Sequence, residues 1–247
     1  MGRTIPDFLN LKIRGLSNHI MLSQRMERMI AIIDYGVGNL FSLKSSITSI
    51  GAEAVVTSDK EVINEADHVI LPGVGAFGDA VKKLRDLELF DFVKEQAATG
   101  KPFLGICLGM QLLFDKSYEY GEHEGLKLVS GVVRPIEGEI PENLDIPHMG
   151  WNSLHFIERC GEKGEKNDAF GAPAGRSPLF KDLKEGDHVY FVHSFAAFEC
   201  DRNLTAAADY GIPITAAVQN NNVYGTQFHP EKSGDVGMKI LKAFAEQ

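Results

Sequence analysis

Cys107 sits in K-P-F-L-G-I-C-L-G-M-Q-L-L-F-D, residues 101–115, with Gly105 and Gly109 two residues away on either side. A thiol framed in this way, G-x-C-x-G, matches a nucleophile elbow, in which a strand turns sharply into a helix and presents a reactive side chain at the bend. The apolar run 103–106 predicts the incoming strand. Leu108, Leu112 and Leu113, with Phe114 beside them, predict one face of the outgoing helix. Side chains at the two glycines would strike the neighbouring strand and helix. A helix N-terminus also favours a thiolate through its dipole. The same residues would suit a buried structural cysteine in a Gly-containing turn.

A thiol nucleophile needs a base, and eight histidines are available. His229 opens H-P-E-K-S, residues 229–233. Pro230 disfavours the α region for His229 and keeps the segment extended, so His229 and Glu231 share a face. A carboxylate would then orient an imidazole that serves the nucleophile, giving a Cys–His–Glu triad. A solvent-facing pair at a strand end is the competing reading of that motif alone. His193, in F-V-H-S-F, is placed at another strand end, either lining the pocket or structural. His148 and Trp151 fall in P-H-M-G-W-N, where the chain's single tryptophan is either core or an interface anchor.

The elements that must position these groups follow from periodicity. Strands are predicted at 30–34, 54–57, 68–71 and 103–106, and helices at 39–50, 78–87 and 90–98, with Asn39 as a cap. Gly36 and Gly38 in D-Y-G-V-G-N-L leave an incomplete dinucleotide fingerprint, since Phe41 stands at its third glycine, so a tight β-α turn is the reading. L-P-G-V-G, 71–75, frees backbone N–H groups to turn outward. Alternating strands and helices with near-continuous apolar strands imply an α/β fold, a parallel sheet covered on both faces. Its site should lie at the carboxyl ends of the strands, where Gly36, Gly73 and Cys107 fall. From 126 onward the pattern changes to short strands, at 132–136, 152–156, 188–191, 204–208, 214–218 and 223–228, read as antiparallel or mixed additions. A last helix follows Ser233 as N-cap, with Val236, Ile240, Leu241 and Phe244 on one side.

Length and composition narrow the class. With 247 residues and 44% hydrophobic content, one good-sized core is the default. A net charge of −9 and no basic cluster with interleaved aromatics argue against nucleic acid and anionic membranes as partners. Apolar runs are strand-sized, so no membrane span is expected. Three widely spaced cysteines fit neither a disulfide framework nor a zinc site, and a cytoplasmic setting is expected. Residues 1–28, interrupted by Arg3, Lys12, Arg14, Arg25 and Arg28, are read as an extension outside the fold, or as an amphipathic leader. The domain is 29–247, with the Gly- and charge-rich stretch 158–178 a surface insertion.

G-I-C-L-G-M-Q, H-P-E-K-S and L-P-G-V-G-A-F-G together resemble the class I (triad) glutamine amidotransferases. P-H-M-G-W-N and D-Y-G-V-G-N-L narrow the resemblance to glutaminase subunits of imidazole glycerol phosphate synthases, over residues 29–244. The resemblance implies a flavodoxin-like, mostly parallel sheet flanked by helices, with antiparallel strands added in the C-terminal half. It implies Cys107 as nucleophile, His229 as acid/base and Glu231 as its orienter. It further implies oxyanion donors at Val74 and Leu108, and glutamine held by Gly75, Gln111 and the backbone near Ser194. Asn39, Trp151, Tyr190 and Lys232 match positions facing a cyclase subunit. No metal or organic cofactor is implied. Two readings compete: a glutaminase serving another ammonia acceptor, and a non-catalytic module on the same fold.

Overall fold

A computed structural model of the chain describes residues 28–158 and 175–247. Strands β1 (Met29–Ile33), β2 (Glu53–Thr57), β3 (His68–Leu71) and β4 (Phe103–Ile106) alternate with helices α1 (Leu40–Ser49), α2 (Lys60–Glu65), α3 (Phe77–Asp86) and α4 (Phe90–Ala98). The strands pair in parallel in the order β2-β1-β3-β4, and β14 (Val223–Thr226) joins in parallel beside β4. The sheet then continues antiparallel through β13 (Pro213–Asn220), β12 (Leu204–Asp209) and β9 (His155–Phe156).

Period-2 alternation sends successive side chains of each strand to opposite faces. Ala31, Ile33, Val69, Leu71 and Phe103 pack with Ile63 of α2, Leu84 of α3 and Val93 of α4. Ile30, Ile32, Ile70, Leu104 and Ile106 pack with Leu43 and Ile47 of α1 and with Ile240, Leu241 and Phe244 of α6 (Gly234–Ala245). Each large apolar side chain buried this way contributes about 1.5–3 kcal/mol relative to exposure.

Two small sheets close over the carboxyl end. One runs β11-β7-β5-β6, from β5 (Lys116–Ser117), β6 (His123–Glu124), β7 (Val132–Pro135) and β11 (Phe195–Phe198). The other is a ribbon of β8 (His148–Ser153) with β10 (His188–His193). The sequence-predicted strand at 152–156 is therefore two strands. Leu154 is buried and its N–H bonds Asp187 O, while β8 and β9 turn to different partners, β10 and β12. Short β5, β6 and β11 carry too little pattern to be found in advance.

Residues 1–27 and 159–174, with Cys160, lie outside the described residues. At the edges of those stretches one expectation needs correction. Ser177, expected in a surface insertion, is buried and its hydroxyl donates to Gln219 Oε1 at 2.7 Å. Arg28, at the end of the expected extension, is exposed and reaches Ala245 O and Gln247 O at 3.3 and 2.9 Å.

Candidate active site

Cys107 follows β4 and precedes α5 (Leu108–Leu112), with φ 54° and ψ −111°. A non-glycine residue in this region carries strain of roughly 1–3 kcal/mol. It is held there from both sides. Its N–H donates to Thr226 O of β14 at 2.7 Å, and its carbonyl accepts from Gln111 N at 3.0 Å. The flanking glycines are required by space, as a Cβ at Gly105 would lie 2.6 Å from Gly109 O and one at Gly109 only 1.8 Å from Leu71 O. The bend therefore depends on β3, β4 and α5 touching backbone to backbone.

His229 and Glu231 arrive from the end of β14. His229 is extended, as the following proline demands, but Pro230–Lys232 is a 3₁₀ turn and not the extended segment that the sequence predicted. The turn carries Glu231 back so that its Oε1 accepts from His229 Nδ1 at 2.8 Å, both side chains being buried. Ser233 was expected to cap α6 and makes no such bond. Its hydroxyl instead donates to His229 O at 2.6 Å and accepts from Tyr190 N at 3.0 Å, which ties the H-P-E turn to β10.

A carboxylate acceptor at Nδ1 leaves Nε2 for the nucleophile. Burial opposes an imidazolium at His229, but hydrogen-bonding and charge interactions with Cys107 and Glu231 outweigh it and push the pKa up to about 9. Nε2 itself has no hydrogen-bond partner among the described residues, and bonds from such a ring nitrogen commonly tighten only when substrate binds.

Cys107 and His229 open into a pocket of about 360 Å³, a size suited to a small ligand. Val74, Gly75, Leu108, Gln111 and Ser194, all named from the sequence, line it. Leu108 N–H belongs to the first turn of α5, where amides have no intrahelical acceptor. Gly75 has φ +96° and open space, whereas Gly73 is crowded: a Cβ there would meet Tyr35 Oη at 2.7 Å and Gly109 N at 2.9 Å. Tyr35 Oη donates to Pro72 O at 2.7 Å, fixing the start of the P-G-V-G loop. Ser194 O is already taken by Ile136 N at 3.0 Å. Gln111 Nε2 donates to Phe195 O and to Gln227 Oε1, which leaves its Oε1 to offer a ligand. A larger cleft of about 480 Å³, beside Arg28, Lys181 and Lys242, has no cysteine, serine or histidine in its lining.

Sequence reasoning missed Glu119. It lies after β5 in the pocket wall, and its Oε2 accepts from Phe77 N at 2.6 Å. Burial raises its pKa, against the opposing pull of that N–H and of His123. No local motif marks Glu119, because α3 and β5 meet only in the fold.

The four residues assigned to a partner face divide. Trp151 is 56% exposed on β8 with its ring edge-on to Tyr190, and Lys232 Nζ lies 5.8 Å over the Tyr190 ring. Lys232 also lines the pocket, a second location the motif did not indicate. Asn39 caps α1 through Ser42 N at 3.4 Å and shares a small crevice with Gly73, Val74, His229 and Glu231, behind the imidazole. Phe41 and Met149, 86% and 64% exposed, add apolar surface that periodicity alone did not single out.

A thiol on a strained strand-to-helix bend, a His–carboxylate pair beside it and the mostly parallel sheet beneath define a class-I glutamine amidotransferase. A sequence model of the family described as "Glutamine amidotransferase class-I" matches residues 31–247, and the chain belongs to that family. Within it, the imidazole glycerol phosphate synthase subunit HisH of Oceanobacillus iheyensis is 44% identical over 219 residues, covering 88% of this chain and 98% of that protein. HisH of Lactococcus lactis is 46% identical over 221 residues, covering 89% and 99%. Among solved structures, PurLQS from Thermotoga maritima has the same fold at a TM-score of 0.63 and 17% identity, over 89% of this chain and 98% of that one.

Proposed function

We propose that this chain is the glutaminase subunit of an imidazole glycerol phosphate synthase and that Cys107, His229 and Glu231 carry its chemistry. The observation that carries the reading is the 2.8 Å His229–Glu231 bond beside a strained Cys107. The thiolate adds to the side-chain carbonyl carbon of glutamine, and the N–H groups of Leu108 and Val74 take the oxyanion. His229 gives its proton to the departing nitrogen, so ammonia leaves and a thioester remains. Water, deprotonated by the same imidazole, cleaves the thioester to glutamate and restores the thiolate. Glu119 and the free Oε1 of Gln111 are acceptors that suit the α-ammonium of glutamine, with Gly75 and Ser194 completing the cradle.

Ammonia then passes to a cyclase subunit docked on the face of Asn39, Trp151, Tyr190 and Lys232. It is used there to form imidazole glycerol phosphate and the aminoimidazole-carboxamide ribonucleotide of histidine biosynthesis. Among the described residues no helix is long and apolar enough to cross a membrane. The test is Cys107→Ala in complex with the cyclase. Glutamine-dependent synthesis should vanish while synthesis from ammonium salts persists. Retained glutamine turnover would remove Cys107 from the mechanism.

A further inference from the structure

Behind the Cys107 sulfur runs a chain of hydrogen bonds whose direction is set by backbone carbonyls. Phe195 O can only accept, so His193 Nδ1 and Gln111 Nε2, each 2.9 Å away, both carry hydrogens. Gln111 Nε2 also reaches the amide of Gln227 at 3.0 Å, so the atom it meets is the Gln227 oxygen. Gln227 Nε2 is thereby the end turned toward Cys107, 3.8 Å from Sγ. On the far side the logic continues. With Nδ1 protonated, neutral His193 accepts at Nε2 from His148 Nδ1 at 3.0 Å. His148 Nε2 accepts from Asn152 Nδ2 at 3.2 Å, and the other Asn152 hydrogen goes to Asp209 O at 2.8 Å. Each bond in the series has a donor and an acceptor; reversing the Gln111 amide would break two of them, and reversing Gln227 would break its bond with Gln111.

We propose that Gln227 is a positioning residue for Cys107: its side-chain amide, oriented by Gln111, donates to the sulfur and holds it for attack. This rests on the reading of Cys107 as nucleophile. Gln227 is fully buried and lies behind Cys107 and Gln111 without itself lining the pocket, so it acts through Cys107 and not on substrate. A donor at 3.8 Å shortens its bond as charge gathers on sulfur, which favours the attacking form. Other titratable groups surround the same atom. His229, with Glu231 behind it, approaches from the H-P-E turn, Tyr35 from the end of β1, and His193, Glu119 and Lys232 across the pocket.

Carbamidomethylation of Cys107 by iodoacetamide, followed on the full chain by peptide mass spectrometry across pH, tests this. Gln227→Glu keeps the shape and the acceptor for Gln111 but presents an acceptor to sulfur. Gln227→Met keeps the length and offers neither. The pH midpoint of Cys107 labelling should rise by about one unit or more in Gln227→Glu and by less in Gln227→Met. In both, kcat for glutamine hydrolysis should fall with KM little changed. Midpoints equal to that of the unsubstituted protein in both variants would overturn the proposal and leave Cys107 as nucleophile. If Gln227→Glu does not fold, the Gln227→Met midpoint decides. No selective labelling of Cys107 in the unsubstituted chain would remove the nucleophile and this proposal together.

Discussion

His229 and His193 both border the pocket and both are buried, 2% and 6% exposed, yet their protons behave in opposite ways. His229 is pushed up to about 9 because Cys107 and Glu231 overcome the cost of burial. His193 is pushed down to about 3 by burial and by His148, with only Phe195 O to help it. Burial sets the size of the electrostatic stake, and the partners around the ring decide its sign. Cys107 and Glu231 together favour the charged form of His229. A second imidazole and a peptide carbonyl leave His193 a neutral strut.

The largest effect separates the two. His229→Asn should lower glutamine hydrolysis about 10²–10⁴-fold, the usual worth of a general acid–base. His193→Asn retains an N–H for Phe195 O, a bond worth about 1 kcal/mol, and should cost roughly tenfold or less. Steady-state assays of the cyclase complex decide it, and equal losses would erase the distinction.

Next in size is Glu231→Gln, which keeps an acceptor for Nδ1 and removes its charge. Charge-assisted bonds are worth about 1.5–3 kcal/mol, so kcat/KM should drop roughly ten- to a hundredfold. The His229 pKa should fall from about 9, and with it the alkaline limb of the pH profile should move to lower pH. An unmoved limb would mean that Glu231 does not set the imidazole's charge.

Stability should show the same opposition. A raised histidine stabilises the fold fully below its unfolded pKa of about 6.5, and this is lost as pH rises through about 9. Depressed histidines stabilise it above about 6.5, and this is lost as pH falls toward about 4 for His148 and about 3 for His193. Thermal unfolding across pH should therefore decline on both sides. Replacing His148 by Gln and His193 by Asn together should flatten the acid side in part, since His68, held down to about 4, remains. The alkaline side should be unchanged. Steepening on the acid side would contradict the neutral assignment.

The smallest effect is a control remote from both histidines. Removing residues 1–28 deletes the exposed Arg28 bonds to Ala245 O and Gln247 O, and should cost under about 1 kcal/mol. The Tm should fall by no more than about 2–4 °C, with the pH profile of hydrolysis intact. A larger loss, or failure to bind the cyclase, would place that segment within the fold.

What the sequence determined by itself is local. Gly105 and Gly109 mark a bend that only glycines allow, and a proline after His229 fixes that residue's backbone, so the proposed nucleophile and base could be singled out from their immediate neighbours. Strands β1 to β4 were equally legible, since near-continuous apolar runs alternate there with helical periods, but β14, read among antiparallel or mixed additions, joins them in parallel. The tertiary structure alone decided how these pieces meet. Parallel pairing of β4 with β14 sets Ile106 opposite Thr226, which brings residues 107 and 229 to one edge. Glu119, Gln227 and the tautomers of His148 and His193 have no local signature. Each is defined by a partner on another element, Phe77, Gln111 or Phe195. Backbone constraints act within a few residues, whereas hydrogen-bond direction and pKa depend on atoms that only folding brings within about 3 Å.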